Sequence, residues 1–128
     1  INFDQYSNSF NITKSIEIVY GLRNFIGNAN KFSKSKVFIN IKSDVDITEI
    51  LIEDDGEGYP NDVLRKIGEP YIKSYKSSIK SKSGLGLGIF IGKTLLEKNY
   101  ASILCRNSKT RGGAEVNIKW KNKDLLNL

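Results

Sequence analysis

Asn24, Asn28 and Lys31 are spaced four and three residues apart, which on a helix places two amides and an ammonium group along one face. Amide oxygens are hard ligands that suit magnesium, an ion that keeps several waters and binds largely through phosphates. A lysine one turn further on can meet a terminal phosphate as a point charge. Taken alone, the three also suit a solvated polar face. Further along, Asp54-Asp55-Gly56-Glu57-Gly58 directly follows an apolar run. A carboxylate fixed there can accept a hydrogen bond from an exocyclic amine such as adenine N6, and the glycines let the backbone come close. The same letters also spell a common Asp-Gly turn, in which Asp55 and Glu57 are ordinary turn residues. Gly84-Leu85-Gly86-Leu87-Gly88 then opens a predicted helix, whose free N–H groups and dipole attract phosphate. No Gly-Lys-Ser/Thr follows it, so it is not a Walker A loop. No strand precedes it, so it is not a dinucleotide-binding turn.

Elements that could position these groups are legible in the apolar spacing. Ile18, Leu22, Phe25, Ala29 and Phe32 mark the buried stripe of a helix over residues 14–32, with Thr13 as its N-cap. Alternating Val37, Ile39 and Ile41 predict a strand over 36–42; a turn at Asp44-Val45-Asp46 returns the chain as a second strand over 48–54. Pro60 suits the first turn of a short helix over 61–67. Residues 68–83 lose all apolar period and read as a mobile loop. A helix over 87–98 ends at Asn99, and strands over 101–107 and 114–120 close the chain around a Gly112-Gly113 turn that serves the fold rather than chemistry. The expected architecture is one α/β domain, a two-layer α+β sandwich, its mixed, mostly antiparallel sheet covered on one face by helices.

Composition narrows the partners. The chain has 128 residues, 39% hydrophobic and 27% charged, enough for a single core, and no run approaches the roughly 20 apolar residues of a membrane span. The start, Ile1-Asn-Phe-Asp-Gln, lacks an initiator Met and a signal pattern, and reads as a piece cut from a longer protein. The net charge of +6 favours anionic partners, yet no basic stripe interleaved with aromatics argues for nucleic acid. One cysteine, Cys105, excludes an internal disulfide, suits a reducing compartment and sits in an apolar strand run. Zinc is disfavoured, because histidine is absent altogether.

The order of these segments resembles the ATP-binding domain of the GHKL superfamily, of Bergerat-type fold, and most closely the catalytic domain of sensor histidine kinases. The likeness runs from about residue 12 to residue 120. It implies ATP and Mg²⁺ as cofactors, with Asn28 the magnesium ligand, and Asn24 and Lys31 on the phosphates. Phe32 would lie beside the nucleotide and Asp54 would read adenine, with Gly56 and Gly58 allowing close approach. Gly84, Leu85, Gly86, Leu87 and Gly88 would form the phosphate loop, preceded by a lid carrying Lys73, Lys76, Lys80 and Lys82. Glu69-Pro70-Tyr71 is similar to the aromatic-proline box of these kinases, with Tyr71 where Phe is more usual. Residues 84–97 are similar to the redox-responsive RegB/PrrB-like kinases.

Position 24 sorts reaction classes within the superfamily. The gyrase, MutL and Hsp90 types, and protein-serine kinases of the anti-sigma type, resemble each other in carrying a basic Glu there. Asn24 has no useful basicity, so this chain should not activate water or a serine hydroxyl. An imidazole acceptor needs no such base. The resemblance therefore implies a fragment that binds Mg-ATP without phosphorylating itself. Its partners would be a histidine-bearing dimerisation domain of the same protein and the receiver domain of a response regulator. The isolated piece would be monomeric and the whole protein dimeric, with this domain in the cytoplasm and its parent anchored in the bacterial inner membrane. The alternatives are a protein-serine kinase of the same fold and a degenerate nucleotide-binding module.

Overall fold

The computed structural model describes residues 2–3, 11–67 and 85–128, with backbone alone at 2, 3 and 85–87. The elements are β1 (Asn2–Phe3), α1 (Ile16–Phe32), β2 (Val37–Ser43), β3 (Ile47–Asp54) and α2 (Asn61–Ile67). They are followed by α3 (Leu85–Lys98), β4 (Ser102–Asn107), β5 (Ala114–Lys121) and α4 (Asn122–Leu126).

Helix α1 starts two residues later than the apolar period suggests, and its cap is Ser15 rather than Thr13. Ser15 has the extended backbone an N-cap needs, and its Oγ accepts from the Ile18 N–H at 3.3 Å. Ile18, Gly21, Phe25 and Ala29 form its buried stripe. The helix stops where the Ser33 N–H bonds back to the Ala29 carbonyl at 3.0 Å. Helix α3 begins at Leu85, two residues ahead of expectation, and Asn99 closes it by donating from Nδ2 to the Leu95 carbonyl at 2.8 Å.

Among the described residues the strands form one sheet in the order β1-β2-β3-β5-β4. β1 runs parallel to β2 and the other neighbours are antiparallel, so the sheet is mixed and mostly antiparallel, as expected. The β2–β3 turn is fixed by Asp44, whose Oδ1 accepts from the Asp46 and Ile47 N–H groups, both at 2.8 Å. Helices α1 and α3 pack on one face, and Phe25, Ile52, Ile89, Leu96 and Ile118 lie fully buried between the layers.

The two helices cross with almost nothing between them. A Cβ on Gly21 would lie 2.6 Å from Leu96 Cγ, and one on Gly92 would lie 2.9 Å from Phe25 Cε2. Glycine at both positions brings the backbones together, and Lys98 reaches Glu17 at 2.9 Å beside the crossing. The C-terminal α4, absent from the sequence expectation, is tied down by buried Asn122. Its Nδ2 donates to the Asp44 and Val45 carbonyls at 2.8 and 3.1 Å, and its Oδ1 accepts from Thr48 Oγ1 at 2.6 Å.

Candidate functional site

A cleft opens between α1 and the ends of β3 and β5. Phe25, Asn28, Ala29, Phe32, Ile52, Asp54, Gly58, Tyr59, Ala114 and Val116 line it. Its walls are largely apolar and aromatic, with one amide and one carboxylate facing inward, a composition suited to a flat, weakly polar ligand.

The carboxylate is the last residue of β3 and only 3% exposed. Asp54 Oδ1 accepts from the Gly56 N–H at 2.8 Å and from the Ala114 N–H at 3.3 Å. Both bonds fall on one oxygen and lock the side chain in a single orientation. The packing around it leaves no room for alternatives. A Cβ on Gly113 would come within 2.2 Å of both the Asp54 carbonyl and Oδ1, and one on Gly56 within 2.0 Å of the Phe32 carbonyl. The Gly112-Gly113 turn, expected to serve the fold alone, therefore also shapes the surroundings of Asp54.

Asn28 projects from α1 into the same cleft. Its Nδ2 is buried without a hydrogen-bond partner, an arrangement that costs about 1–3 kcal/mol unless a ligand or water completes it. Opposite stands Gly88 of α3, where a Cβ would lie 3.0 Å from Nδ2 and 3.2 Å from Oδ1. The end of the glycine run and the amide thus touch directly.

Asn24 and Lys31 lie outside the described lining of the cleft. Asn24 spends its amide on its own helix, donating to the Tyr20 carbonyl at 2.8 Å. Lys31 is exposed at the end of α1, its Nζ 5.2 Å from the centre of the Phe32 ring. Leu85, Gly86 and Leu87 form the first turn of α3. Tyr71, Gly84, the box at 69–71 and the lysines of the expected lid lie outside the described residues.

The sequence profile described as "Histidine kinase-, DNA gyrase B-, and HSP90-like ATPase" matches residues 13–124. The chain belongs to this family.

Within it, this ATP-binding domain is of the sensor histidine kinase kind. Over 125 residues it is 37% identical to the sensor histidine kinase RegB of Cereibacter sphaeroides, covering 85% of this chain and 27% of that kinase. It is 30% identical over 101 residues to the sensor protein kinase PilS of Pseudomonas aeruginosa, covering 72% of this chain and 18% of that protein. The chain thus spans about a quarter or less of the length of these relatives. The RegB-like character expected for residues 84–97 is supported at the level of the chain. Among solved structures, the catalytic domain of the histidine kinase ThkA superposes with a TM-score of 0.68 at 17% identity, covering 94% of this chain and 76% of that one. Full-length ShkA in complex with AMPPNP gives 0.64 at 22% identity, covering 89% of this chain and 23% of that one.

Several residues that shape this ATP-binding domain escape sequence reasoning. Asn107, at the end of β4, clamps the backbone of Tyr59: its Oδ1 accepts from the Tyr59 N–H at 2.6 Å and its Nδ2 donates to the Tyr59 carbonyl at 3.2 Å. Gly58 precedes that clamp at φ 83°, a backbone that favours glycine, and a Cβ there would strike Asn107 Oδ1 at 2.6 Å. Asp55 is more than a turn residue. Its Oδ1 accepts from the N–H groups of Lys34, Ser35 and Lys36 at 2.9, 3.0 and 3.1 Å, and its Oδ2 from Ser35 Oγ at 2.6 Å. These bonds, the Ser35 hydroxyl first, hold its carboxyl well below the usual carboxylate range. No local pattern announces either residue, because their partners lie 48 and about 20 positions away.

Behind the cleft wall, Tyr59 and Cys105 lie side by side on the covered face. Burial pushes the Tyr59 phenol up and the Cys105 thiol up to about 12. The thiol is a packing group, as its place in an apolar strand run suggests.

Proposed function

We propose that this chain holds Mg-ATP for transfer of the γ-phosphoryl group to a histidine carried on another domain of the same protein. The observation that carries the reading is the convergence of buried Asp54 and the unsatisfied amide of Asn28 on one apolar cleft, with Gly88 against the amide. Asp54 Oδ2, turned away from the two backbone bonds, would accept from adenine N6. Phe32 and Tyr59 supply apolar surface for the ring, and Gly58 leaves room beside it.

Asn28 fits a role in holding magnesium, since its Oδ1 is a hard neutral ligand and its buried Nδ2 has no hydrogen-bond partner. Among the described residues no three His, Cys, Asp or Glu side chains come together, so phosphate oxygens and water would complete the coordination. When bound, the ion neutralises charge developing on the transferred phosphoryl group. Lys31, exposed at the end of α1, would add a further positive charge on the phosphate side. The first turn of α3 would offer its free N–H groups to the phosphates.

Asn24 supplies no base, so the chain would rely on positioning and electrostatics toward an acceptor that is already nucleophilic. The chain itself contains no histidine, so in this reading the acceptor would sit on a dimerisation domain elsewhere in the protein. A response regulator aspartate would receive the phosphoryl group next, and the whole protein would act as a homodimer. No described helix is long and apolar enough to cross a membrane. The domain would work on the cytoplasmic face of a membrane-anchored parent.

Calorimetric titration with AMPPNP, with and without Mg²⁺, tests the reading. The expected result is magnesium-strengthened binding whose magnesium increment disappears in Asn28→Ala. A folded chain that takes up no AMPPNP in either condition would overturn it.

A further inference from the structure

The Asp55 carboxylate is the hub of a four-bond knot that joins two parts of the site distant in sequence. Its acceptor oxygens take every N–H from Lys34 to Lys36, the loop immediately after α1, together with the Ser35 hydroxyl. Asp55 itself directly follows Asp54. On the other side, Gly56 abuts the Phe32 carbonyl so closely that no Cβ fits between them. The last turn of α1 is therefore held against the end of β3 from two directions, and Asn28 and Lys31 ride on that turn or the one before it.

We infer that Asp55 is a positioning residue that fixes the magnesium and phosphate side of the site, Asn28 and Lys31, relative to the adenine side, Asp54, without touching the nucleotide itself. The inference rests on the nucleotide reading above and extends it to a residue outside the cleft lining. Three backbone donors on one oxygen restrain the loop as a rigid body, since each bond fixes a different peptide plane. Losing the acceptor leaves exposed N–H groups that water can satisfy, so the fold survives while the register between α1 and β3 loosens. Asparagine keeps a neutral Oδ1 in the same place and preserves most of the knot.

The test is a comparison of two ligands on the same chain, adenosine, which engages only the Asp54 side, and Mg-AMPPNP, which spans both. In Asp55→Ala, Mg-AMPPNP binding should weaken about tenfold, the scale of losses when a group supporting a ligand-binding residue is removed. Adenosine binding should hold, and Asp55→Asn should restore most of the Mg-AMPPNP affinity. Equal weakening of both ligands would reduce Asp55 to a general stabiliser, and unchanged affinity for both would remove its role. Should Asp55→Ala not fold, Ser35→Ala cuts one bond only, and the same selective, smaller loss is expected; an equal loss for both ligands overturns the inference. A folded wild-type chain that binds neither ligand defeats the nucleotide reading instead.

Discussion

Asn28 on α1 and Gly88 on α3 share one contact, with room for a hydrogen at the glycine and little more: an added methyl would stand 3.0 Å from the amide nitrogen. That spacing is tighter than ordinary packing, and the amide is the group that would have to give way. Gly88→Ala should therefore rotate Asn28 and weaken magnesium-dependent AMPPNP binding about tenfold. Alanine is the better helix former by about 1 kcal/mol, so the midpoint of thermal unfolding should stay level or rise. A fall in both affinity and melting temperature would mean that the contact serves packing alone.

Asp54 is expected to separate two roles on substitution. Asp54→Ala strips the acceptor from the Gly56 and Ala114 N–H groups in a buried place, at about 1–3 kcal/mol for each group left unsatisfied. Asp54→Asn keeps Oδ1 for those donors but turns Oδ2 into a donor, which opposes adenine N6. The asparagine variant should unfold near the wild-type temperature and yet lose adenine nucleotide binding. Scanning calorimetry beside titration with ADP distinguishes the two; retained binding in Asp54→Asn would remove the adenine assignment.

The crossing of α1 and α3 predicts opposite signs for three glycine-to-alanine changes. At Gly92 the new methyl meets the Phe25 ring, and at Gly21 it meets Leu96, so each should cost about 1–2 kcal/mol after the gain in helix propensity. Gly27 is exposed on α1 with nothing within 4 Å of a new Cβ, so Gly27→Ala should stabilise by up to about 1 kcal/mol. Urea titrations of the three variants would show the sign in each midpoint.

Alkaline stability should follow the paired phenol and thiol. The folded state holds Cys105 protonated up to about 12, above its ordinary value of 9.0, while the unfolded chain releases the proton earlier. Between those values the native state binds more protons than the unfolded one, so stability falls as pH rises, by about 1.4 kcal/mol per pH unit for each such group. Tyr59, shifted in the same direction, adds its share above about pH 10. Cys105→Ala should flatten the decline between pH 9 and 10, measured by denaturant titration at each pH. An unchanged slope would place the titrating group elsewhere.

Local pattern announced the fold wherever a residue's neighbours in sequence are also its neighbours in space. The α1 stripe from Ile18 to Ala29 and the alternation of Val37, Ile39 and Ile41 are such cases, and their elements appear within two residues of expectation. Thr13 and Ser15 are both competent caps by type, and it is Ser15 whose Oγ accepts from the Ile18 N–H. β1 is two residues long and carries no period to read. α4 is a single turn whose hold comes from Asn122 reaching back to the β2–β3 turn, a relationship nearly eighty positions long. In the site, residue types with distinctive chemistry stood out, whereas Asp55, Asn107 and Gly113 act through backbone groups far along the chain. Such partners leave no trace in spacing. Asn24 shows how much a position leaves open: its type and helical place suit a ligand, and here its Nδ2 donates to the Tyr20 carbonyl of its own helix.

The bond from Ala114 to Asp54 closes a span of 60 residues, and β5 lies beside β3 although α2, α3 and β4 come between them in the chain. A nascent chain that has emerged only as far as Arg111 already contains Asn28, Asp54 and Gly88, but it has no strand to seat the carboxylate. Such long-range pairing is among the slower events of folding. The pocket is thus finished only when β5, which carries Ala114 and Val116, docks beside β3, so the lining around Asp54 is among the last parts of the domain to form.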